Sequence, residues 1–508
     1  MTRDSARHRG RRQVGGIVQQ APRHVVNSLK PLEALSRDQV EAIDDASLRV
    51  LETIGVVFES PRALDLLARA GARVDRETRR VRLERGLVAE SLAKAPGAFV
   101  VRAREPARDL AIGDDDVVFA STAGPPNVSD LDGGRRAGTF RDMCDGLRLI
   151  QGLNVLHLVG GAPVAPLDLP AATRHLDMVH AYLTLTDRVF HVWCHGRARV
   201  ADALDMTAIA LGTDRAGLAA SPRVLGAVNA DSPLGYDGPT LDGMLELVEA
   251  GQAVVVTPFT IAGALAPASL AGALVQQNAE ALAGIALAQI ARPGAPVVYG
   301  GFTSNVDMRS GRPAFGTPET VKAALASGQL ARRCRLPYRS SNTNTANAVD
   351  AQAAYESQMT LWGAMLGHAN LVMHAAGWLE GGHVFSFEKL ILDAEMLQMM
   401  AEVMRPLATD ADALGVEAMR EVGPGGHFFG AAHTLARYET AFYAPMLSDW
   451  RNFETWREAG AEDTARRASR IWKELLAGYQ EPRLDEAIAE ALRAFTARRK
   501  RAIERSAA

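Results

Sequence analysis

A chain of 508 residues, 47% hydrophobic and 23% charged, is long enough to bury a large core and belongs with globular proteins rather than disordered or fibrous ones. Its formal net charge of −3 gives no bulk attraction to nucleic acid or an anionic membrane, and three scattered cysteines, Cys144, Cys194 and Cys334, do not make a disulfide framework. The N-terminal stretch lacks the apolar segment of a secretory signal, and no uninterrupted apolar run reaches the roughly 18–20 residues of a membrane span, so the expected location is the cytoplasm.

In chain order, the basic stretch MTRDSARHRGRRQ opens what reads as a disordered basic tail over residues 1–30. Residues 31–115 predict an N-terminal subdomain of helices and a hairpin, the hairpin centred on the alternating segment RVDRETRRVRLERG. From VVFASTAGPPNVSDL onward, apolar β-branched runs alternate with helical patterns. The further runs are LHLVGGAPVAP, RVFHVWCHG, RVLGAVNADSP, AVVVTPFTIAG, PVVYGGFTSNVD, LPYRSSNTN and NLVMHAAGWLEGG. Between them lie segments such as DGPTLDGMLELVEAG and TPETVKAALASGQLARRC, which begin on Asp or Thr followed by Pro or an acid, the pattern of a capped helix start. Eight buried strands, each followed by a helix over residues 116–404, predict an α/β fold of the (β/α)8 TIM-barrel type, with a doubly wound sheet as the alternative. Residues 405–508 turn to charged amphipathic helices and predict a C-terminal helical cap or oligomer surface.

In such a barrel the loops at the C-terminal strand ends converge on one mouth, so the candidate residues lie there. The third strand carries His191, Trp193 and His195 at period two, which points all three to one face and Cys194 to the other. That trio suggests a metal. Zinc, however, draws several His, Cys or carboxylate ligands together, and the remaining strand ends offer mostly amides and hydroxyls, so no metal is expected and hydrogen-bonded histidines are the plainer reading. The densest such stretch is YRSSNTNTANAVDAQ at 338–352, whose Ser340, Ser341, Asn342, Thr343, Asn344 and Asn347 are good hydrogen-bonding groups but poor nucleophiles or bases near neutral pH. Such a site binds a ligand or borrows its reactivity. Aromatic residues gather at the same places: Trp193, Phe259, Tyr299, Phe302, Tyr338 and Trp378. Rings facing a cavity attract a cation, and a quaternary ammonium suits them best because it has no N–H to satisfy; ordinary barrel packing is the alternative. Neither GFTSNVD nor VGPGGHFFG matches a Walker or dinucleotide fingerprint.

LRVLETIGVVF with GARVD, GPPNVSDLDGGRRAGTFRD, NTNTANAVDAQAAYESQMTLWGAMLGHANLVMHAAGWLEGG and the long GPGGHFFGAAHTLARYETAFYAPMLSDWRNFETWREAGAEDTARRA together resemble the trimethylamine methyltransferase family, over nearly the whole chain beyond the tail. The resemblance implies a (β/α)8 barrel that transfers a methyl group from an amine to the cobalt of a corrinoid (cobalamin) carried by a separate small protein. Founding members of the family carry pyrrolysine near the region corresponding to residues 340–347. Only standard residues stand there in this chain, and members of that kind resemble glycine betaine methyltransferase and act on quaternary amines. A quaternary nitrogen leaves as a neutral tertiary amine and needs no general acid, while cobalt(I) is the nucleophile, so the protein is left with positioning and the exclusion of water.

On this reading the substrate-binding set is Trp193, His195, Phe259, Tyr299, Arg339, Asn342, Asn344, His374 and Trp378. The rings face the ammonium group, Arg339 and His374 meet a substrate carboxylate, and the amides form a polar floor. An outward-facing, solvent-paired Arg339 is the alternative. Asp350 and Glu356 read as acids that favour a helix start. The loop with Gly425, Gly426 and His427 is expected to roof the mouth or receive the corrinoid protein, because its glycines allow close backbone approach. No side chain is expected to act as a catalyst, and a homo-oligomer is expected. Two other readings stay open: a relative that binds a betaine without transferring methyl, and a metal-dependent barrel hydrolase or lyase.

Overall fold

Alternation within the eight apolar runs resolves into two buried faces in the computed structural model, which describes residues 12–14 and 17–507. The strands are β1 Asp116–Ser121, β2 Leu158–Val159, β3 Val189–Trp193, β4 Leu225–Val228, β5 Ala253–Val256, β6 Val297–Gly300, β7 Tyr338–Ser341 and β8 Leu371–Ala376. Each runs parallel to its successor, and β1 closes the ring by pairing with both β8 (Leu371 opposite Val118) and β2 (Leu158 opposite Ala120). Closure excludes the doubly wound sheet. Val118, Ala120, Val189, Leu225, Val255 and Val298 fill the barrel, while the alternate residues Phe119, Phe190, Val254 and Val297 join the larger core beneath the helices. Burial on both faces is why these runs read as continuous apolar stretches.

A helix follows every strand: α1 Phe140–Gly152, α2 Arg174–Leu185, α3 Arg197–Ala210, α4 Gly238–Glu249, α5 Leu270–Ala291, α6 Pro318–Arg333, α7 Ala351–Leu366 and α8 Phe387–Val403. Local chemistry sets their starts. Thr139 and Asp142 form a reciprocal capping box on α1, and Thr317 caps α6 just before Pro318. Helix α5 is buried almost all round because it is sandwiched between the barrel and the helix Arg37–Arg49.

The hairpin expected near residue 77 is present, with Arg73–Asp75 antiparallel to Arg80–Arg82. A second hairpin, Ala98–Val101 with Leu110–Gly113, plugs the N-terminal end of the barrel by packing Val101, Leu110 and Ile112 against Val118, Val189 and Leu225. The expectation of a disordered tail reaching residue 30 needs correction. Ile17–Gln19 and Val25–Val26 are strands, Val25 pairs antiparallel with Val117 of β1, and the buried Asn27 donates from Nδ2 to the Met365 carbonyl at 2.8 Å. Runs of two or three residues carry no readable period: Ile17–Gln19 pairs antiparallel with the nearby Arg12–Val14, and Val25–Val26 takes its order from a partner about 90 residues away. The rest of the expected tail, residues 1–11 and 15–16, lies outside the described residues.

Two small sheets raise the rim. Thr260–Ala262 pairs with Thr303–Val306 and that with Pro313–Ala314; Asn127–Asp130 lies between Gly134–Ala137 and Val384–Ser386, which in turn pairs with Trp378–Leu379. They extend the loops after β1, β5, β6 and β8 into walls around the mouth. Near the C-terminus, Thr464–Ala477 packs on α8, where the Trp472 indole donates to Glu388 at 2.9 Å; Glu486–Ala507 packs on α2 and α3, with Arg499 paired to Asp202 at 2.6 Å. Among the described residues no helix is long and apolar enough to cross a membrane.

Candidate active site

Inward-facing positions on β7 alternate with outward ones, and the inward Arg339 is where that alternation has chemical consequence. The residue is buried. Its Nη1 donates to Thr257 Oγ1 at 3.1 Å and to the Gly301 carbonyl at 3.2 Å, and its guanidinium lies over the Phe302 ring. Its Nε has no partner, and among the described residues no carboxylate pairs with it. Burial lowers Arg339 to about 10, which still leaves it charged near neutral pH. The solvent-paired alternative is thereby removed: a full positive charge sits inside the barrel with no counterion.

Two imidazoles share that space. The register of β8 against β1 shifts between Val372 and Ala376, and His374 takes a φ of 54° within this bulge, which turns the ring toward the barrel axis. On β3, His191 Nε2 accepts the backbone N–H of Ala227 at 2.6 Å, so the ring is neutral with its proton on Nδ1. Desolvation first, and the Arg339 charge second, push His191 down to about 4 and His374 well below the ordinary imidazole value. Around them stands an aromatic wall. His374 is 4.5 Å from Trp378, and Phe302 is 5.0 Å from Phe259, 5.8 Å from Phe315 and 6.4 Å from Trp378, measured between ring centres. Phe259, Arg339, His374 and Trp378 are therefore brought together as the sequence suggested.

Other expected members lie elsewhere. Tyr299 is on the outward phase of β6: its hydroxyl donates to Asn278 of α5 at 3.0 Å, and the ring is buried in the helix-facing core. The outward Tyr338 likewise bonds the Ala324 carbonyl of α6 at 2.8 Å. Trp193 and His195 lie on the same side of their segment as His191, with Val192 and Cys194 buried between them on the other. The strand ends at Trp193, where the His195 N–H bonds back to the Trp193 carbonyl at 2.9 Å, so these two stand beyond the sheet at the rim while His191 lies within it. Both are exposed and, together with His191, line a cavity of about 350 Å³ that also takes in Arg174, His175 and Tyr182.

Nor do the amides form a floor. Asn342 donates to the Ala375 carbonyl at 2.8 Å and to Asp393 at 3.1 Å and accepts from Thr360, while Asn344 donates to the Trp378 carbonyl at 2.7 Å and to Ser357 at 3.3 Å. Their amide donors are spent fastening the loop after β7 to α7, α8 and the Trp378 strand, while the buried Asn344 Oδ1 has no partner among the described residues. Beneath that loop lies a group no sequence pattern announced. Lys389 and Asp393 are fully buried on α8; the ammonium contacts Asp393 and donates to Ser357 at 2.9 Å, and Asp393 accepts the Gly377 N–H at 2.9 Å. Spacing of i,i+4 on a helix is the only signal, and it usually marks a solvent-exposed pair. Asp350 caps α7, but Glu356 does more than favour a helix start: it accepts the Thr345 and Ala346 N–H groups at 2.8 and 3.1 Å. Gly425, Gly426 and His427 lie in an exposed loop whose hydrogen bonds stay within its own segment. Cys194 is on the outward face, with burial raising its thiol to about 12, and among the described residues no three of His, Cys, Asp or Glu converge as a metal centre would require.

The closed barrel, with a buried cation, neutral imidazoles and an aromatic wall at its C-terminal mouth, is a (β/α)8 barrel of the kind that carries an enzyme site at that end. The chain is a member of the trimethylamine methyltransferase (MTTB) family, whose model matches residues 2–504, and is thus a methyltransferase. It is 39% identical over 466 residues to the glycine betaine methyltransferase of Desulfitobacterium hafniense (strain Y51), covering 92% of this chain and 96% of that one. It is 29% identical to the trimethylamine methyltransferase MttB of Desulfitobacterium hafniense (strain DSM 10664 / DCB-2), over 91% of this chain and 93% of that one. The proline betaine:corrinoid methyltransferase of Eubacterium limosum is also 29% identical, over 89% and 94%.

Proposed function

We propose that this methyltransferase takes its methyl group from a carboxylate-bearing quaternary amine of the glycine betaine type and delivers it to the cobalt of a corrinoid carried by a partner protein. The carrying observation is Arg339, a buried guanidinium with no carboxylate partner. An uncompensated charge inside a barrel is costly, and a substrate carboxylate offsets it through charge-assisted hydrogen bonds. Trimethylamine has no such group. With the carboxylate on Arg339, the wall of Phe259, Phe302 and Trp378 is the surface left for the ammonium head, whose charge favours ring faces.

Reduced corrinoid cobalt supplies the nucleophile when the partner is docked. A mouth without an ionisable side chain poised near neutrality fits an acceptor that brings its own reactivity. The departing group is a neutral tertiary amine, so neither His191 nor His374 needs to give or take a proton, and desolvation keeps both neutral. What this chain contributes is orientation of one N-methyl toward the opening and exclusion of water. The names of the relatives at 39% and 29% identity, for glycine betaine and for proline betaine with a corrinoid, support the same reading.

The test is incubation of the purified protein with reduced cobalamin and, separately, glycine betaine, choline and trimethylamine, following the cobalamin absorbance. Consumption of glycine betaine but not the other two is expected. Transfer from trimethylamine alone overturns the proposal.

A further inference from the structure

The end of the barrel away from the mouth holds a second buried guanidinium without a carboxylate. Arg188 stands just before β3 and is 5% exposed. Its Nη2 donates to the Gln151 and Leu153 carbonyls at 3.2 and 3.0 Å, its Nε has no partner, and among the described residues no carboxylate pairs with it. Burial lowers it to about 9, so it stays charged near neutral pH. The two carbonyls lie at the C-terminal end of α1, and a helix end carries roughly half a negative charge. That anchors the side chain there and leaves part of its charge unbalanced.

Arg188 lines a cavity of about 290 Å³ drawn from separate stretches of the chain. Residues 22–25 bring Arg23 and Val25, the turn of the plugging hairpin brings Arg108 and Leu110, and Val118 comes from the first residues of β1. The exposed His24 stands at its edge. The other charges around it are already matched: Arg23 meets Glu402 at 3.3 Å, Arg108 meets Asp187 at 3.1 Å, His24 meets Asp116 at 3.1 Å and Asp109 meets Arg102 at 2.7 Å. Arg23 nevertheless keeps a buried Nη2 with no partner. The cavity therefore has one surplus positive charge, spare N–H donors on two guanidiniums, and an apolar wall of Val25, Leu110 and Val118, all buried. Val118 and Ser121, where β1 reaches the mouth, are three residues or about 10 Å of strand apart, so this is not the place where Arg339 lies.

We infer that this cavity is a second binding site, for a small monocarboxylate with a short apolar body, its carboxylate on Arg188 and its chain against Val25, Leu110 and Val118. One surplus charge matches a monoanion. A phosphate dianion brings a second negative charge that no free cation meets, and a metal ion or an amine is repelled. A betaine fits poorly as well, because no Phe, Tyr or Trp lines the cavity to face an ammonium head. The volume falls just under the range of pockets for drug-sized molecules, which suits a ligand of a few carbons. Such a ligand touches residues 22–25, the plug and the foot of β3 together, so its binding favours the folded chain by mass action.

The test is calorimetric titration of the full chain carrying Arg339→Gln, which removes the other guanidinium that lacks a carboxylate, with sodium butyrate at constant ionic strength. One saturable site per chain is expected, with a melting temperature that rises as butyrate is added. Adding Arg188→Met should weaken butyrate about 10-fold or more, as the loss of a charge-assisted hydrogen bond does. If that variant fails to fold, Arg108→Gln, nearer the surface, should still weaken it severalfold. Sodium phosphate and glycine betaine should each bind the Arg339→Gln chain more weakly than butyrate. Absence of saturable butyrate binding, binding undiminished by the Arg188 and Arg108 changes, or a preference for phosphate or glycine betaine overturns the proposal. Each result is independent of the role given to Arg339, since that side chain is absent throughout.

Discussion

The guanidinium of Arg339 lies 4.8 Å from the centre of the Phe302 ring, so this buried charge is braced by a ring and two oxygen acceptors but, among the described residues, balanced by no carboxylate. On the proposed function this guanidinium meets the substrate carboxylate, and it is held in place before that ligand arrives.

Replacing Arg339 with Gln should separate binding from stability. Loss of charge-assisted hydrogen bonds to a carboxylate costs about 1.5–3 kcal/mol, on the order of 10- to 100-fold in Kd for glycine betaine. The melting temperature should hold or rise, because a buried unpaired cation destabilises the native state. Calorimetric titration of the protein without its partner, with a thermal melt, checks both; unchanged affinity removes Arg339 as the carboxylate anchor.

Methyl transfer should be flat with pH across about 6 to 8, since both mouth imidazoles titrate below that window. Stability should not be flat at lower pH. The folded state depresses His191 to about 4 and the buried His157 to about 3, so the unfolded chain binds protons that the folded chain refuses. The contribution is complete above the unfolded value near 6.5 and falls as pH drops toward the folded values, at about 1.4 kcal/mol per unit of depression. Denaturant melts from pH 7 to 4 measure it, and a bell-shaped rate profile near neutrality would falsify the acid-free mechanism.

Asn342→Ala should behave as a structural lesion. It removes the side-chain donor of the Ala375 carbonyl and leaves Asp393 Oδ1 with Lys389 alone, at about 1–3 kcal/mol. KM for the amine should stay near that of the parent. A selective rise in KM with an unchanged melt would restore the polar floor that the sequence suggested.

Lys389→Met should be the more severe change, about 3–5 kcal/mol, because it strands Asp393 as an unpaired buried charge. Adding Asp393→Asn should recover part of the loss, since an amide oxygen still accepts the Gly377 N–H without requiring a cation. Urea melts of the single and double variants measure the difference; a double variant weaker than the single contradicts the assignment.

The two tryptophans should part company. Trp193 is 60% exposed, so Trp193→Ala should leave the fold intact. Trp378 is buried, with its indole donating to the Asn344 carbonyl at 3.1 Å, and Trp378→Ala should cost about 3–5 kcal/mol. Equal melts for the two variants would contradict these placements.

What the sequence made legible follows physical lines. All eight barrel strands could be read because burial on both faces writes long apolar runs, and the helix starts because capping is local chemistry. The site was legible as a set of strand ends but not in phase: Tyr299 and Arg339 both sit at strand ends, yet one faces the helices and the other the axis, and a one-residue difference decides it. His191, Trp193 and His195 keep the alternation the spacing suggested, but only His191 lies deep enough to face Arg339, and depth along a strand is not written in a period. Phe315 could not have been found, since it reaches the aromatic wall from the edge of a two-residue strand. Lys389 and Asp393 look like any surface ion pair until α7 and the Trp378 strand close over them.

The bulge in β8 has a consequence for how such a mouth diversifies. Between Val372 and Ala376 the strand holds more residues than its partner span from Phe119 to Ser121, so His374 is delivered from a stretch out of register with β1, just past the last pairing of Met373 with Ser341 of β7. Everywhere else a residue gained or lost within a strand would turn every later side chain inside out. Here the count is already uncoupled from the register, and lengthening, shortening or replacing the segment re-aims a single side chain over the opening while the ring of strands stays as it is. A barrel arranged this way can change which ligand it admits without renegotiating its own fold.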